Sequence, residues 1–303
     1  MRSLLFIPGN DPRKLDKGLR SGADALIVDL EDAVPPAEKV GARGVCSDFV
    51  RQHRDATPLF VRVNALSTGL LLDDLAAVVH ARPHGIMLPK CTGGGDVALV
   101  GAYLAALEAR EGLASGSIRI LPIVTELATA LFDMGSYARL AGPRLCGMLW
   151  GAEDLATDVG ASANRHEGRY AGPFLLARSL CLFAATAAGV PAIDAVFTDF
   201  RNNDALAEEA REAARTGFSG KAAIHPAQIE PINAVFTPAE ADLRAAHAVI
   251  AAFAREPTAG AVSVDGRMLD RPHLKAAERL IARGGSAVVH DQSSSNHRAQ
   301  ESP

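Results

Sequence analysis

Eight short runs rich in Val, Ile and Leu, each followed by a longer stretch of helical character, restrict the fold of this chain more than any other feature. They are SLLFIPG from residue 3, ALIVDLE from 25, PLFVRVN from 58, GIMLPK from 85, RILPIVTE from 119, RLCGMLWG from 144, AIDAVF from 192 and GKAAIH from 220. This alternation is the signature of a parallel sheet with helical crossovers. The intervening segments carry helix punctuation. GPFLLARSLCLFAATAAGVP has Pro173 near its start and Gly189 just past its end. DALAEEAREAARTG places Asp204 as an N-cap and Gly217 as a stop. Eight strands with a helix after each favour a closed (β/α)8 TIM barrel, although an open doubly wound sheet shares much of the pattern.

After residue 225 the rhythm ends. A helix rich in Ala, TPAEADLRAAHAVIAAFARE, leads to a short hairpin, AVSVDGRMLD, and a further helix, RPHLKAAERLIARG. The organisation expected is a barrel over residues 1–235, a C-terminal helix and lid segment over 236–283, and a disordered polar tail over 284–303, whose composition cannot bury a core.

Charge and composition exclude several functions. Lys plus Arg is 31 against 35 for Asp plus Glu, and aromatics are 5%, so neither a nucleic acid nor a membrane surface is the expected partner. The apolar run in MRSLLFIPGN stops at Pro8, too short for a secretory core, and it reads as a strand. Four widely spaced cysteines form no CxxC pair, which argues against a zinc site and fits a reduced cytoplasmic setting.

In a (β/α)8 barrel, function sits at the C-terminal ends of the strands. Strand two ends in Asp29, Glu31 and Asp32, strand three in Arg62 and Asn64, strand four in Lys90 and strand five in Glu126. Strand six runs into Glu153 and Asp154, and strand eight ends at His225. Glu126 and Asp154, at successive strand ends, suit one hard cation such as Mg²⁺ with positions left for water and substrate, or else they are helix caps. Arg62, flanked by Val61 and Val63, either grips a carboxylate or oxyanion of the substrate or pairs with a rim acid such as Glu31; Lys90 has similar alternatives. TGGGD from residue 92 lacks the spacing of a phosphate loop and reads as a flexible turn.

Nine ordered blocks resemble a known family: LFIPGNDPRKLDKGL, DALIVDLEDAVPPAEKVGAR, FVRVN, GIMLPK, PIVTE, MLWGAEDLATDVGA, VFTDFRN, GFSGKAAIHPAQI and GRMLDRP. Together they are similar to the citrate lyase β-subunit-like family, which includes malyl-CoA and citramalyl-CoA lyases. The resemblance implies a (β/α)8 barrel that makes or breaks a carbon–carbon bond in a 3-hydroxyacyl-CoA thioester with Mg²⁺, in trimers or multiples of them.

By motif, Glu126 and Asp154 would hold the metal, Glu126 and Arg62 would meet the substrate, and Glu31 and Asp32 would support them. Asp270 of GRMLD would be a catalytic acid on a lid closing over a neighbouring subunit's site. Arg13, Lys14 and Lys17 lie where the CoA phosphates need cations, although a basic first helical turn is often only solvated. Relatives of this kind also include a citrate lyase subunit whose thioester rides on an acyl carrier protein, and a malyl-CoA thioesterase.

Overall fold

In the computed structural model the backbone of residues 1–298 and the side chains of residues 1–284 are described. Two units divide the chain, Arg2–Asn233 and the segment from Ala234 onward. The first begins β1 (Ser3–Pro8), α1 (Pro12–Leu19), β2 (Ala25–Asp29), α2 (Lys39–His53), β3 (Leu59–Arg62), α3 (Leu71–Val78), β4 (Gly85–Leu88), α4 (Gly94–Arg110) and β5 (Arg119–Pro122). It continues with α5 (Tyr137–Leu140), β6 (Met148–Leu149), α6 (Glu153–Asp158), a small hairpin of β7 (Arg165–His166) and β8 (Arg169–Tyr170), α7 (Gly172–Ala188), β9 (Ala192–Asp194), α8 (Asn203–Thr216) and β10 (Gly220–Ala223), before α9 (Ile229–Phe236).

All eight expected runs contribute to one parallel sheet, in the order β5-β4-β3-β2-β1-β10-β9-β6. Bridges from Ile120 to Leu145 and from Ile123 to Leu149 join β5 to β6 and bring the sheet round on itself, so the barrel replaces the open sheet. The runs are continuous in apolar residues because both faces of such strands are covered: every residue of β2 and β4 is buried. Trp150, Phe60 and Phe218 are the bulkiest apolar side chains of this interior.

Local punctuation departs from the sequence reading in two places. The cap of α8 is Asn202, whose Oδ1 accepts the Ala205 N–H at 3.1 Å, and Asp204 instead lies in the first turn near the positive end of the helix. Of the glycines after Thr92, Gly93 and Gly94 are tightly packed where α4 begins, and Gly95 faces open space. A Cβ on Gly94 would lie 2.5 Å from the Ser136 carbonyl oxygen, and the Gly94 N–H donates to Ser136 Oγ at 2.7 Å.

In the second unit, α10 (Glu240–Arg255) precedes an antiparallel hairpin of β11 (Ala261–Val264) and β12 (Arg267–Asp270), followed by α11 (Arg271–Arg298). Asp265 and Gly266, at φ 49° and 75°, make the left-handed two-residue turn that an Asp-Gly pair favours. Ala252, Phe253 and Val262 form a small core with Val264, Leu269 and Leu274 around it. Helix α11 runs to Arg298, through part of the segment that the sequence reads as a polar tail. Residues 299–303 of the expected tail lie outside the described residues. No helix among the described residues is long and apolar enough to cross a membrane.

Strand contacts leave no room for added methyls at some glycines. A Cβ on Gly85, at the start of β4, would lie 2.6 Å from the Phe60 ring and 2.9 Å from the Arg119 carbonyl oxygen. Gly85→Ala is expected to destabilise by about 1–3 kcal/mol. Gly41→Ala, in α2 where the methyl meets open space, is expected to stabilise by about 0.5–1 kcal/mol. Urea midpoints of the two variants check both signs.

Candidate active site

The strand register sets Asp29 beside Arg62 at the ends of β2 and β3. Arg62 Nε donates to Asp29 Oδ1 at 2.7 Å and Nη2 to Oδ2 at 2.5 Å, a two-pronged grip with both partners shielded from water. Asp29 also accepts the backbone N–H groups of Glu31 at 2.9 Å and Ala33 at 3.1 Å, so the same carboxylate shapes the loop after β2. Lys39 fastens that loop further, donating to the carbonyls of Leu30 and Glu31 at 2.9 Å each. Arg62 stacks over the Phe6 ring, 4.8 Å from its centroid, which fixes the plane of the guanidinium.

Glu31, Asp32, Lys90, Glu126 and Asp154 gather next to this pair. Lys90 lies just past β4 with φ 52°, a left-handed conformation uncommon for a residue with a side chain. That conformation accompanies two sets of contacts. The Lys90 N–H donates to Glu126 Oε2 at 2.5 Å, while Nζ lies 2.5 Å from Glu31 Oε1, 3.0 Å from Asp32 Oδ2 and 3.3 Å from Asp154 Oδ1. Thr125 ties the fifth and sixth strand ends, its hydroxyl accepting the Gly151 N–H at 2.9 Å and donating to the Gly151 carbonyl at 3.1 Å. Gly151 has no room for a side chain: a Cβ would lie 2.8 Å from Glu126 Cγ.

Electrostatically the cluster is unbalanced. With Asp29 set against Arg62, Lys90 is the ammonium that Glu31, Asp32 and Asp154 share, and Glu126 receives only its backbone N–H. Burial, reinforced by the charge of Asp154, pushes the Glu126 carboxyl up to about 8. Burial also pushes Glu31 up, by more than Arg62 and Lys90 pull it down. Burial would lower Lys90, but the hydrogen bond to Glu31 and the surrounding carboxylates outweigh it and keep the ammonium charged. Cys91 is no nucleophile here, since burial pushes its thiol well up.

These residues fit a hard divalent cation. Glu126 and Asp154 offer carboxylate oxygens whose mutual repulsion a cation would relieve. Glu31 Oε2 is buried without a hydrogen-bond partner, since Arg62 Nη1 at 3.2 Å is poorly aimed at it. Among the described residues no group of three or more His, Cys, Asp and Glu side chains forms a closed cage. A two-carboxylate site open to water and substrate oxygens is the arrangement magnesium favours.

Other expected site residues are placed elsewhere. Arg13, Lys14 and Lys17 are exposed on α1, the first two only 3.9 and 3.8 Å from the N-cap Asp11; among the described residues none bonds to the carboxylate cluster. Asn64 is structural, its side chain donating to Asp74 at 2.7 Å and to the Leu30 carbonyl at 3.1 Å. His225 stacks on Phe200 and caps the turn at Pro226–Gln228. Asp270 belongs to the second unit, exposed at the end of β12, where its hydrogen bond with His273 at 2.5 Å holds its carboxyl low. In the sequence Asp29 is visible as a strand-end acid without its role, and Lys90 stays open between alternatives. The register pairing of Asp29 with Arg62 was the available signal for the first; nothing in MLPK announces a left-handed lysine.

A family described as HpcH/HpaI aldolase/citrate lyase matches residues 2–226. A (3S)-malyl-CoA thioesterase of Cereibacter sphaeroides is 34% identical over 293 residues, covering 93% of this chain and 94% of that protein. The mitochondrial citramalyl-CoA lyase of Rattus norvegicus is 32% identical over 292 residues, covering 92% of this chain and 85% of that one. Among solved structures, Mycobacterium tuberculosis protein CitE in complex with magnesium, acetoacetate and coenzyme A superposes with a TM-score of 0.73 at 32% identity, covering 94% of this chain and 98% of that one.

The raised carboxyls fix the sign of a pH effect. Between the ordinary glutamate value of 4.5 and about 8, folded Glu126 holds a proton that the unfolded chain has released. The stabilisation is therefore full below that window and is lost as pH rises through about 8. In a chelator-containing buffer, the thermal midpoint of the protein is expected to fall between pH 5 and 8.5, and Glu126→Gln to flatten the slope. Scanning calorimetry across that range is the check; a wild-type midpoint rising towards pH 8.5 would contradict it.

Proposed function

The chain belongs to the HpcH/HpaI aldolase/citrate lyase family, and on that premise we propose that it is a Mg²⁺-dependent carbon–carbon lyase of 3-hydroxyacyl-CoA thioesters such as malyl-CoA or citramalyl-CoA. The observation that carries the proposal is the excess of carboxylate over ammonium around Glu126 and Asp154, beside an arginine held rigid by Asp29. Glu126 and Asp154 would hold Mg²⁺. Bound there, the ion supplies Lewis acidity that lowers the pKa of a substrate hydroxyl.

The chain's own groups account for the rest of the proposal. Arg62 keeps N–H groups not used by Asp29, and a guanidinium that is already neutralised and clamped can stabilise a developing enolate oxygen without reorganising. In cleavage the hydroxyl would release its proton to solvent, the bond between the carbinol carbon and the α-carbon would break as the carbinol carbon becomes the carbonyl of the oxo acid, and the acyl-CoA enolate would take a proton on that α-carbon from Asp270, which regains one from solvent. Asp270 is assigned this proton exchange, from a neighbouring subunit of a trimeric or hexameric assembly. Its hydrogen bond with His273 keeps the carboxylate form that accepts a proton in the bond-forming direction. Glu31 and Asp32 hold Lys90 in place.

A second reading, hydrolysis of the thioester to the free acid, is favoured by the 34% identity to a malyl-CoA thioesterase. Products separate the two. Incubation with Mg²⁺ and malyl-, citramalyl- or citryl-CoA is expected to release acetyl-CoA and an oxo acid, with the reaction abolished by EDTA. Free CoA without an oxo acid would move the assignment to the thioesterase. A protein that turned over only esters on a purified acyl carrier protein would belong with the citrate lyase subunits. Glu126→Gln and Asp154→Asn are each expected to lower kcat at least about 100-fold; variants that keep activity and Mg²⁺ dependence would remove the metal assignment. Asp270→Asn is expected to lower kcat with little change in KM.

A further inference from the structure

Among the described residues Lys90 is the one that bonds or ion-pairs with both prospective metal ligands, and it does so through different atoms. Its backbone N–H holds Glu126 Oε2, and its ammonium lies 3.3 Å from Asp154 Oδ1 while also contacting Glu31 and Asp32. The left-handed backbone at φ 52° is a conformational cost that persists only where surroundings over-determine it. Here the surroundings are four carboxylates. The Lys90 side chain is a quarter exposed and that of Asp154 about a third, so the contact between them is partly shielded from water.

We propose that Lys90 is a built-in competitor for the divalent cation: its ammonium neutralises the carboxylate cluster while the metal is absent and must leave Asp154 when the metal enters. The proposal rests on the metal reading above and goes beyond it by assigning a residue that sets the affinity of the site. Lys90 is a positioning residue in this role, acting through Asp154 and Glu126.

Two consequences follow from the geometry. First, the free energy of displacing the ammonium from Asp154 is subtracted from metal binding, so the site holds a divalent cation less tightly than its carboxylates alone would. This is the same arithmetic by which any competing state lowers an apparent affinity. Second, the displaced ammonium keeps Glu31 and Asp32, at 2.5 and 3.0 Å, and so it has a place to go without entering bulk solvent.

The test uses the full-length protein and Mn²⁺ as a paramagnetic probe of the site, with free Mn²⁺ read by electron paramagnetic resonance and thermal midpoints measured in parallel with and without metal. Lys90→Met removes the competing charge and keeps the length of the side chain. It is expected to bind Mn²⁺ at least about tenfold more tightly than the wild type, to melt at a lower temperature in EDTA, and to gain more from added metal. Lys90→Arg retains a cation and is expected to stay within about threefold of wild-type affinity, which guards against a methionine variant that fails to fold. Equal or weaker Mn²⁺ binding by Lys90→Met, with binding still lost in Glu126→Gln, overturns the competition while leaving the metal reading intact. Binding that survives in Glu126→Gln overturns both.

Discussion

The pair of Asp29 and Arg62 is the contact on which the candidate site depends. Strand register places the two side by side, burial removes competing water, and both carboxylate oxygens engage the guanidinium. The same oxygens accept the amides of Glu31 and Ala33, so one side chain orients the arginine and folds the loop that presents Glu31 and Asp32. Removing one partner of such a buried pair typically costs about 3–5 kcal/mol, because the other is left as an uncompensated charge. Here the cost would include the shape of the loop as well.

Elsewhere the fold balances its buried charges. Arg144 meets Glu108 at 2.6 Å, and Glu108 also accepts the Gly116 and Ile118 amides at 2.9 Å. Asp194 takes Lys221 at 2.7 Å, Arg178 at 2.9 Å and the Trp150 indole N–H at 2.7 Å, joining β9 and β10 to α7. Arg2 answers Asp24 beneath β1 and β2. Each of these acids has at least as much positive charge and N–H density around it as it needs, and the pKa shifts agree: Glu108 is held at about 2, because burial is outweighed by Arg144 and the two amides. Around Glu126 the same burial goes unanswered, and the carboxyl rises instead. The contrast between answered and unanswered burial distinguishes the structural ion pairs from the site.

Much of this was legible in the sequence, for definable reasons. Strands β1 to β5 could be read because a parallel strand covered on both faces is a continuous apolar run, and from the second run to the fifth the polar residues at each run's end marked the rim. The Asp265-Gly266 turn was legible because few other residues accept two left-handed positions in succession. The hairpin of β7 and β8 was not, since its strands have two residues each and its left-handed Glu167 carries no such signature. Long-range pairs such as Asp194 with Lys221 were equally silent, because 27 residues separate partners that only the register of β9 against β10 sets side by side. Lys90 fell between these cases: its position at a strand end was visible, whereas its backbone conformation is set by Glu126 at 36 residues' distance.

Gly151 places a constraint of another kind on the molecule. Its missing side chain is the space that the Glu126 methylene occupies, and Ile123 closes the same space at 3.3 Å. Even the smallest replacement would therefore be read out as a displaced carboxylate more than as a damaged core. Position 151 therefore accepts no side chain without moving the Glu126 carboxylate, whereas the exposed cations of α1 can be exchanged without disturbing it.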